Sequence, residues 1–177
     1  DDQMLELVKA ANVLGNTSLR YVVIRDYFVR KKIDYKVAGR MLEELISFHG
    51  ATQEDMKLVN LLPADFFDNV EVEIIRVGAD AYMKAGNYKA AMNCLSKVLS
   101  KEPNDWRSWV SYSLLILQGT RNYKSAIPFL EKGEQAASAT GEFRQFIELL
   151  HSVPELQQIY GIIQQQRTQG INGLPMI

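Results

Sequence analysis

Apolar residues recur at steps of three and four almost from the first position, and no stretch shows strict two-residue alternation bounded by hairpin turns. Met4, Leu5, Val8, Ala11 and Leu14 form such a stripe over residues 3–14, and Gly15 is suited to end it. Asn16-Thr17-Ser18 offers a cap for a second helix over 19–32, where Tyr21, Val22, Ile24, Tyr27 and Phe28 recur. The β-branched run Val22-Val23-Ile24 suits a strand as well, and length decides for a helix. Asp34 caps a third helix over 35–48, with Val37, Met41, Leu42, Leu45 and Ile46 on one face and Gly50 closing it. Thr52-Gln53-Glu54-Asp55 has the form of a capping signal for a short helix that Pro63 ends near Leu61.

The second half repeats the theme. Ile74, Ile75, Gly78, Ala79 and Tyr82 share one face of a helix over 72–85, and the turn Gly86-Asn87 leads into another over 88–100. Pro103-Asn104-Asp105 punctuates, with Asn104 or Asp105 as the cap of a helix over 106–118 that carries Trp109, Tyr112, Leu115 and Ile116. A further helix over 123–137 follows the turn at 119–122, and Pro128 inside it predicts a late start or a bend. Thr140 with Glu142 begins a helix running through Leu150; Ser152-Val153-Pro154-Glu155 then has capping-box spacing, with Pro in the first turn of a last helix that reaches about Gln166. Residues 168–177 read as a flexible tail.

Tyr88-Lys89-Ala90-Ala91 and Tyr123-Lys124-Ser125-Ala126 lie 35 residues apart, each opening the second helix of a pair. A third version, Tyr35-Lys36-Val37-Ala38, stands 53 residues before the first of them. Recurrence at this period signals stacked helical hairpins, since a lone hairpin cannot bury its apolar face. The unit resembles the tetratricopeptide repeat, with its W-x2-L-G-x2-Y, A-x3-F and P pattern. Ile75, Gly78, Ala79, Tyr82, Ala91, Leu95 and Pro103 hold those places in residues 72–105, and Trp109, Tyr112, Ser113, Ile116, Ala126 and Leu130 hold them in 106–138, where Ser138 replaces the closing Pro. The small residues Ala79, Ala91, Ser113 and Ala126 let paired helices approach while Tyr82, Leu95, Trp109 and Leu130 fill the space between. The expected fold is thus an all-α solenoid. It comprises an N-terminal helical region 1–70 with a degenerate repeat at 19–48, two units at 72–105 and 106–138, capping helices at 139–167, and the tail.

What the resemblance implies for function is a concave face, lined by the first helix of each pair, that grips a peptide or helix of another protein. On this chain the lining would be Glu73, Arg76, Val77, Asp80, Met83 and Lys84, followed by Arg107, Val110, Ser111, Leu114 and Gln118. A groove of this mixed character would bind at micromolar strength, roughly −8 kcal/mol. Family members that clamp the acidic carboxyl terminus of heat-shock chaperones set Lys and Asn in the groove. Here Arg76 and Asp80 stand at the corresponding places, and Asp80 would repel a carboxylate. The leading expectation is a non-enzymatic adaptor; the alternatives are a small chaperone or assembly factor of a secretion or envelope machine, and an accessory domain of a larger protein.

Composition narrows the rest. The chain has 177 residues, 47% hydrophobic and 23% charged, as in an ordinary soluble globular protein. With 20 Lys+Arg against 21 Asp+Glu it lacks the cationic surplus of a general nucleic-acid binder. No apolar run approaches the ~18 residues of a membrane span. The start Asp1-Asp2-Gln3 lacks an initiator Met and the features of a signal peptide. It reads as a shortened chain or one whose leader has been removed; the cytoplasm is favoured and an exported mature form is the alternative. The single cysteine, Cys94, sits in a core stripe and forms no intrachain disulfide. His49 and His151, the only histidines, lie about a hundred residues apart without ligand-spaced neighbours, so neither a metal nor another cofactor is expected. Glu43 and Glu44 read as solvated, and Asp65 and Asp68 as turn formers around Phe66-Phe67. Arg25, Arg30, Lys31, Lys32, Lys36 and Arg40 gather around the turn at 30–36, as a solvated face or a site for an anionic partner. Trp106 reads as a partly exposed contact residue, and the last helix, with Leu156, Ile159, Tyr160 and Ile163 on one side, as an end cap or a surface for docking a second copy.

Overall fold

The computed structural model describes residues 1–47 and 51–172. Among them every regular element is helical, in two compact units, Asp1–Lys97 and Val98–Ile177. The boundary between the units falls inside a helix, α6 (Tyr88–Lys101). The three related tetrapeptides occupy equivalent places: Tyr35, Tyr88 and Tyr123 are each the first residue of a helix.

In the first unit, α1 (Asp2–Leu14) ends at Gly15, whose left-handed φ of 68° costs glycine nothing. Asn16 caps α2 (Thr17–Phe28), its Oδ1 accepting from the Leu19 amide at 3.0 Å. That helix stops four residues short of the expected Lys32, because the Tyr27 hydroxyl accepts the Asp34 amide at 2.8 Å and draws the chain back over the helix end. Asp34 then caps α3 (Tyr35–Ser47), with Oδ1 2.9 Å from the Lys36 amide. The expected stop at Gly50 lies outside the described residues. Thr52 and Asp55 form a reciprocal capping box on α4 (Gln53–Met56), which passes into a 3-10 turn, Lys57–Leu61. Another such turn, Phe66–Asp68, precedes α5 (Val72–Ala85).

α1 packs on α2 and α3, and α3 and α4 pack on α5, around a core that includes Tyr27, Phe28, Met41, Leu42, Leu45 and Ile75. Phe66 and Phe67, expected as part of a turn, belong to this core. Their rings lie 4.9 Å apart edge-on, and Phe67 approaches the Tyr82 ring at 5.7 Å. Phe67 also explains Gly78: a Cβ there would stand 2.2 Å from the Phe67 ring, so no side chain fits.

A polar network joins the first four helices. The Arg20 side chain is fully buried, its Nη1 donating to Asn12 Oδ1 at 3.1 Å and its Nη2 lying 3.4 Å from Asp55 Oδ2. Asn12 Nδ2 donates in turn to the carbonyl and carboxylate of Glu44, at 3.0 and 2.8 Å. Glu44 is therefore half-buried and bonded, not solvated as its sequence position suggests. Burial lowers the Arg20 pKa, and the Asp55 charge works against that shift.

The second unit contains α7 (Trp106–Thr120), α8 (Tyr123–Ala139), α9 (Phe143–Ser152) and α10 (Pro154–Asn172). α7 and α8 pack along each other as a hairpin, tightly at Gly133, where a Cβ would lie 3.3 Å from Trp109 Cβ. α8 does not start late: Asn122 caps it at Tyr123, and Pro128 is carried inside, costing one amide donor. Thr140 closes α8, its hydroxyl donating to the Ala136 carbonyl at 3.0 Å, so α9 begins only at Phe143. Ser152 likewise ends α9, donating to the Leu149 carbonyl at 2.8 Å, and α10 opens on Pro154 without it as the expected cap. α10 extends beyond Gln166 to Asn172, so 168–172 are helical; the rest of the expected tail, 173–177, lies outside the described residues.

Candidate functional site

The candidate residues of α5 lie on the side turned away from its packed face. Ile74, Ile75, Gly78 and Ala79 are buried, Glu73 and Lys84 are exposed, and Arg76, Val77, Asp80 and Met83 are half-buried. The charges pair along the helix: Arg76 Nη1 with Glu73 Oε1, and Lys84 Nζ with Asp80 Oδ2 at 3.1 Å. Pairs so open to water hold weakly, about 1 kcal/mol or less. The strip thus offers both signs of charge beside the Met83 and Val77 side chains. Of the packing residues in this unit, Ala79, Ala91 and Leu95 are buried and Tyr82 is half-buried.

On α7, Arg107 and Gln118 are exposed, Ser111 and Leu114 half-buried, and Leu114 packs against the core of its unit. Val110 is a correction: at 2% exposure it is a core residue, on the same buried side as Trp106 one turn earlier. Trp106 is a second correction. It is 3% exposed, donates Nε1–H to Glu142 Oε2 at 2.8 Å and meets Phe146 edge-on, while the Arg107 guanidinium covers its ring at 4.3 Å. Trp109 is the more open of the two tryptophans, bonded to the Pro103 carbonyl at 2.8 Å and stacked on Phe129; Pro103 itself is exposed. Ser113, Ala126 and Leu130 are fully buried, and the Ser113 hydroxyl is satisfied by the Val110 carbonyl.

Reactive side chains are muted. Cys94 borders a cleft of about 400 Å³ with Phe67, Tyr82 and Lys97, yet burial pushes its thiol up to about 12, and the Tyr82 hydroxyl likewise to about 12. Among the described residues no group of His, Cys, Asp and Glu is placed to hold a metal ion. His151 is exposed in the last turn of α9, and His49 lies outside the described residues. No helix among those described is long and apolar enough to cross a membrane.

Sequence reasoning missed a clamp on α10. Glu134 of α8 accepts from Tyr160 at 2.5 Å and from both Arg167 Nη atoms, Nη2 at 2.5 Å and Nη1 at 3.2 Å. Burial raises the Glu134 pKa, but the Arg167 and Tyr160 hydrogen bonds and the Arg167 charge outweigh it and hold the carboxyl below its ordinary value. A depressed carboxyl stabilises the folded state above its unfolded pKa near 4.5, and the contribution fades as pH falls through the lower folded value. Replacing Arg167 by Ala is therefore expected to cost about 1 kcal/mol at neutral pH, Arg167 being half exposed. The difference from the wild type should vanish in thermal melts taken well below pH 4.5. An equal difference at both extremes would exclude the carboxylate as its source.

No protein-family model matches the chain, and no curated protein matches it in sequence. Among solved structures it is similar to the crystal structure of MamA protein, with a TM-score of 0.53 and 9% identity over 99% of this chain and 97% of the other. MamA AMB-1, in a P212121 crystal, gives 0.49 and 14%, covering 92% and 89%. MamA MSR-1, in a C2 crystal, gives 0.49 and 14%, covering 93% and 95%. The first likeness is one of fold, and the chain is an all-α solenoid of helical hairpins.

Proposed function

We propose that the chain is a non-enzymatic protein-interaction scaffold that takes a peptide segment or a helix of another protein on the outer strip of α5, with the strip of α7 suited to the same class of ligand. The observation that carries this reading is the two-sidedness of α5. One side is closed by Ile75, Gly78 and Ala79, while the other leaves Arg76, Asp80 and Met83 half open to a ligand. Such a rigid strip recognises by hydrogen bonds and shallow apolar contact, and needs no nucleophile or base.

Changing Arg76→Glu together with Met83→Asp is expected to weaken peptide binding by about tenfold or more while leaving the circular dichroism spectrum and melting temperature unchanged. Peptides selected on the wild-type chain from a random library, then titrated against the double variant, provide the check. Undiminished binding of every selected peptide would remove α5 as the binding strip.

A further inference from the structure

Residues 30–40 carry five cationic side chains, Arg30, Lys31, Lys32, Lys36 and Arg40, against one carboxylate, Asp34, in a chain whose net charge is −1. The structure gathers them at the corner where α2 gives way to α3. Asp34 is occupied in capping α3 through the Lys36 and Val37 amides. Arg30 faces Asp1 at 3.6 Å and Arg40 bonds Glu43 at 2.7 Å, both pairs open to water. Lys31, Lys32 and Lys36 have no carboxylate partner among the described residues.

Exposed lysines alone would be an ordinary hydrated surface. Beside these, however, lies a cleft of about 270 Å³ between α3 and the segment entering α5. Tyr35, Val70 and Ile74 give it an apolar lining, Lys36 and Arg40 add the cations, and Glu71 adds a single carboxylate. A phosphodiester or lipid headgroup would meet the cations and leave the apolar lining unused. An acidic polypeptide uses both, placing an apolar side chain in the cleft and its carboxylates over the surrounding cations.

We infer that the α2–α3 corner docks an acidic segment of a partner protein, anchored by one apolar side chain in the cleft beside Lys36 and Arg40. The inference rests on the scaffold reading and names its partner chemistry, but at a surface other than the α5 strip. It also fits the charge balance, because the remainder of the chain is net acidic and would repel such a segment elsewhere.

The test is a selection of random peptides of about twelve residues on the full chain at low salt, read against two variants, Lys36→Glu/Arg40→Glu and Arg76→Glu/Met83→Asp. Beside peptides held by the α5 strip, the expected pool contains a class rich in Asp and Glu around one aliphatic or aromatic residue. Its best member should lose about tenfold or more in affinity to Lys36→Glu/Arg40→Glu, weaken as salt rises from about 50 to about 300 mM, and ignore the α5 variant. A pool without acidic bias, or acidic peptides indifferent to Lys36 and Arg40, overturns the inference. A pool made only of peptides lost with the α5 variant overturns it while leaving the scaffold reading intact, and an empty pool removes both. Oligo-dT or phosphatidylserine vesicles that bind through Lys36 and Arg40 more tightly than any peptide also overturn it. Should the charge reversal lower the melting temperature, Lys36→Gln/Arg40→Gln carries the same readout.

Discussion

Arg20→Ala is expected to destabilise the first unit by about 3 to 5 kcal/mol, a large share of the stability of any domain of this size. Three losses combine. Asp55, 7% exposed, gives up the cation lying 3.4 Å from its Oδ2; Asn12 Oδ1 gives up its 3.1 Å donor; and a cavity opens where a fully buried side chain stood. Urea unfolding of the full chain, followed by far-ultraviolet circular dichroism, should show the first transition at a markedly lower midpoint. The double change Arg20→Met/Asp55→Asn separates charge from volume. A neutral pair of similar size refills the space and removes the uncompensated carboxylate, while the Asn oxygen still accepts the Thr52 amide, as Asp55 does at 2.8 Å. It should recover most of the loss. If Arg20→Ala unfolds within about 1 kcal/mol of wild type, the network has no energetic role.

In the second unit, Trp106→Ala should cost about 3 to 5 kcal/mol. A surface tryptophan would cost about 0.5 or less, so the measurement separates a core residue from an exposed contact residue. Trp106→Phe keeps an aromatic face toward Phe146 but abandons the indole donor to Glu142, and should lose about 1 to 2 kcal/mol. Differential calorimetry on the three proteins gives the ranking Ala, Phe, wild type in order of rising stability. Equal melting temperatures for Ala and wild type would contradict the burial of Trp106 against Phe146.

What could be read from the sequence and what could not divides by the range of the interaction. Among the described residues the longer helices are visible as apolar stripes, and Asn16, Asp34 and Thr52 as caps, because each bonds an amide two or three residues away. The outer strip of α5 follows from the same periodicity. The burial of Trp106 is hidden from the sequence because its fixing partner, Glu142, is 36 residues further on and leaves no periodic trace. Glu44 and Asn12, 32 residues apart, hid their bond in the same way. Gly78 was legible as a small residue at a repeat position, but the Phe67 ring that demands it comes from a segment with no helical pattern. Val110 shares the buried side of α7 with Trp106, Ser113 and Leu117, a stripe that the repeat register anchored on Trp109 does not follow. The late start expected from Pro128 does not occur: the lost amide bond and ring clash, about 3 kcal/mol, are offset in a helix whose buried face includes Ala126, Ile127, Leu130, Gly133, Ala136 and Ala137.

The one thiol of the chain, Cys94, is 2% exposed and lies within Asp1–Lys97, whereas both tryptophans, 106 and 109, lie within Val98–Ile177. Each compact unit thus carries its own native reporter. Alkylation by a maleimide proceeds only when the first opens, and indole emission follows the melting of the second, so the two can be timed separately in one unlabelled sample. The same seclusion leaves the surface without a competing nucleophilic sulfur, so a cysteine introduced at Lys36 or Met83 could take a fluorophore site-specifically without first removing the native one.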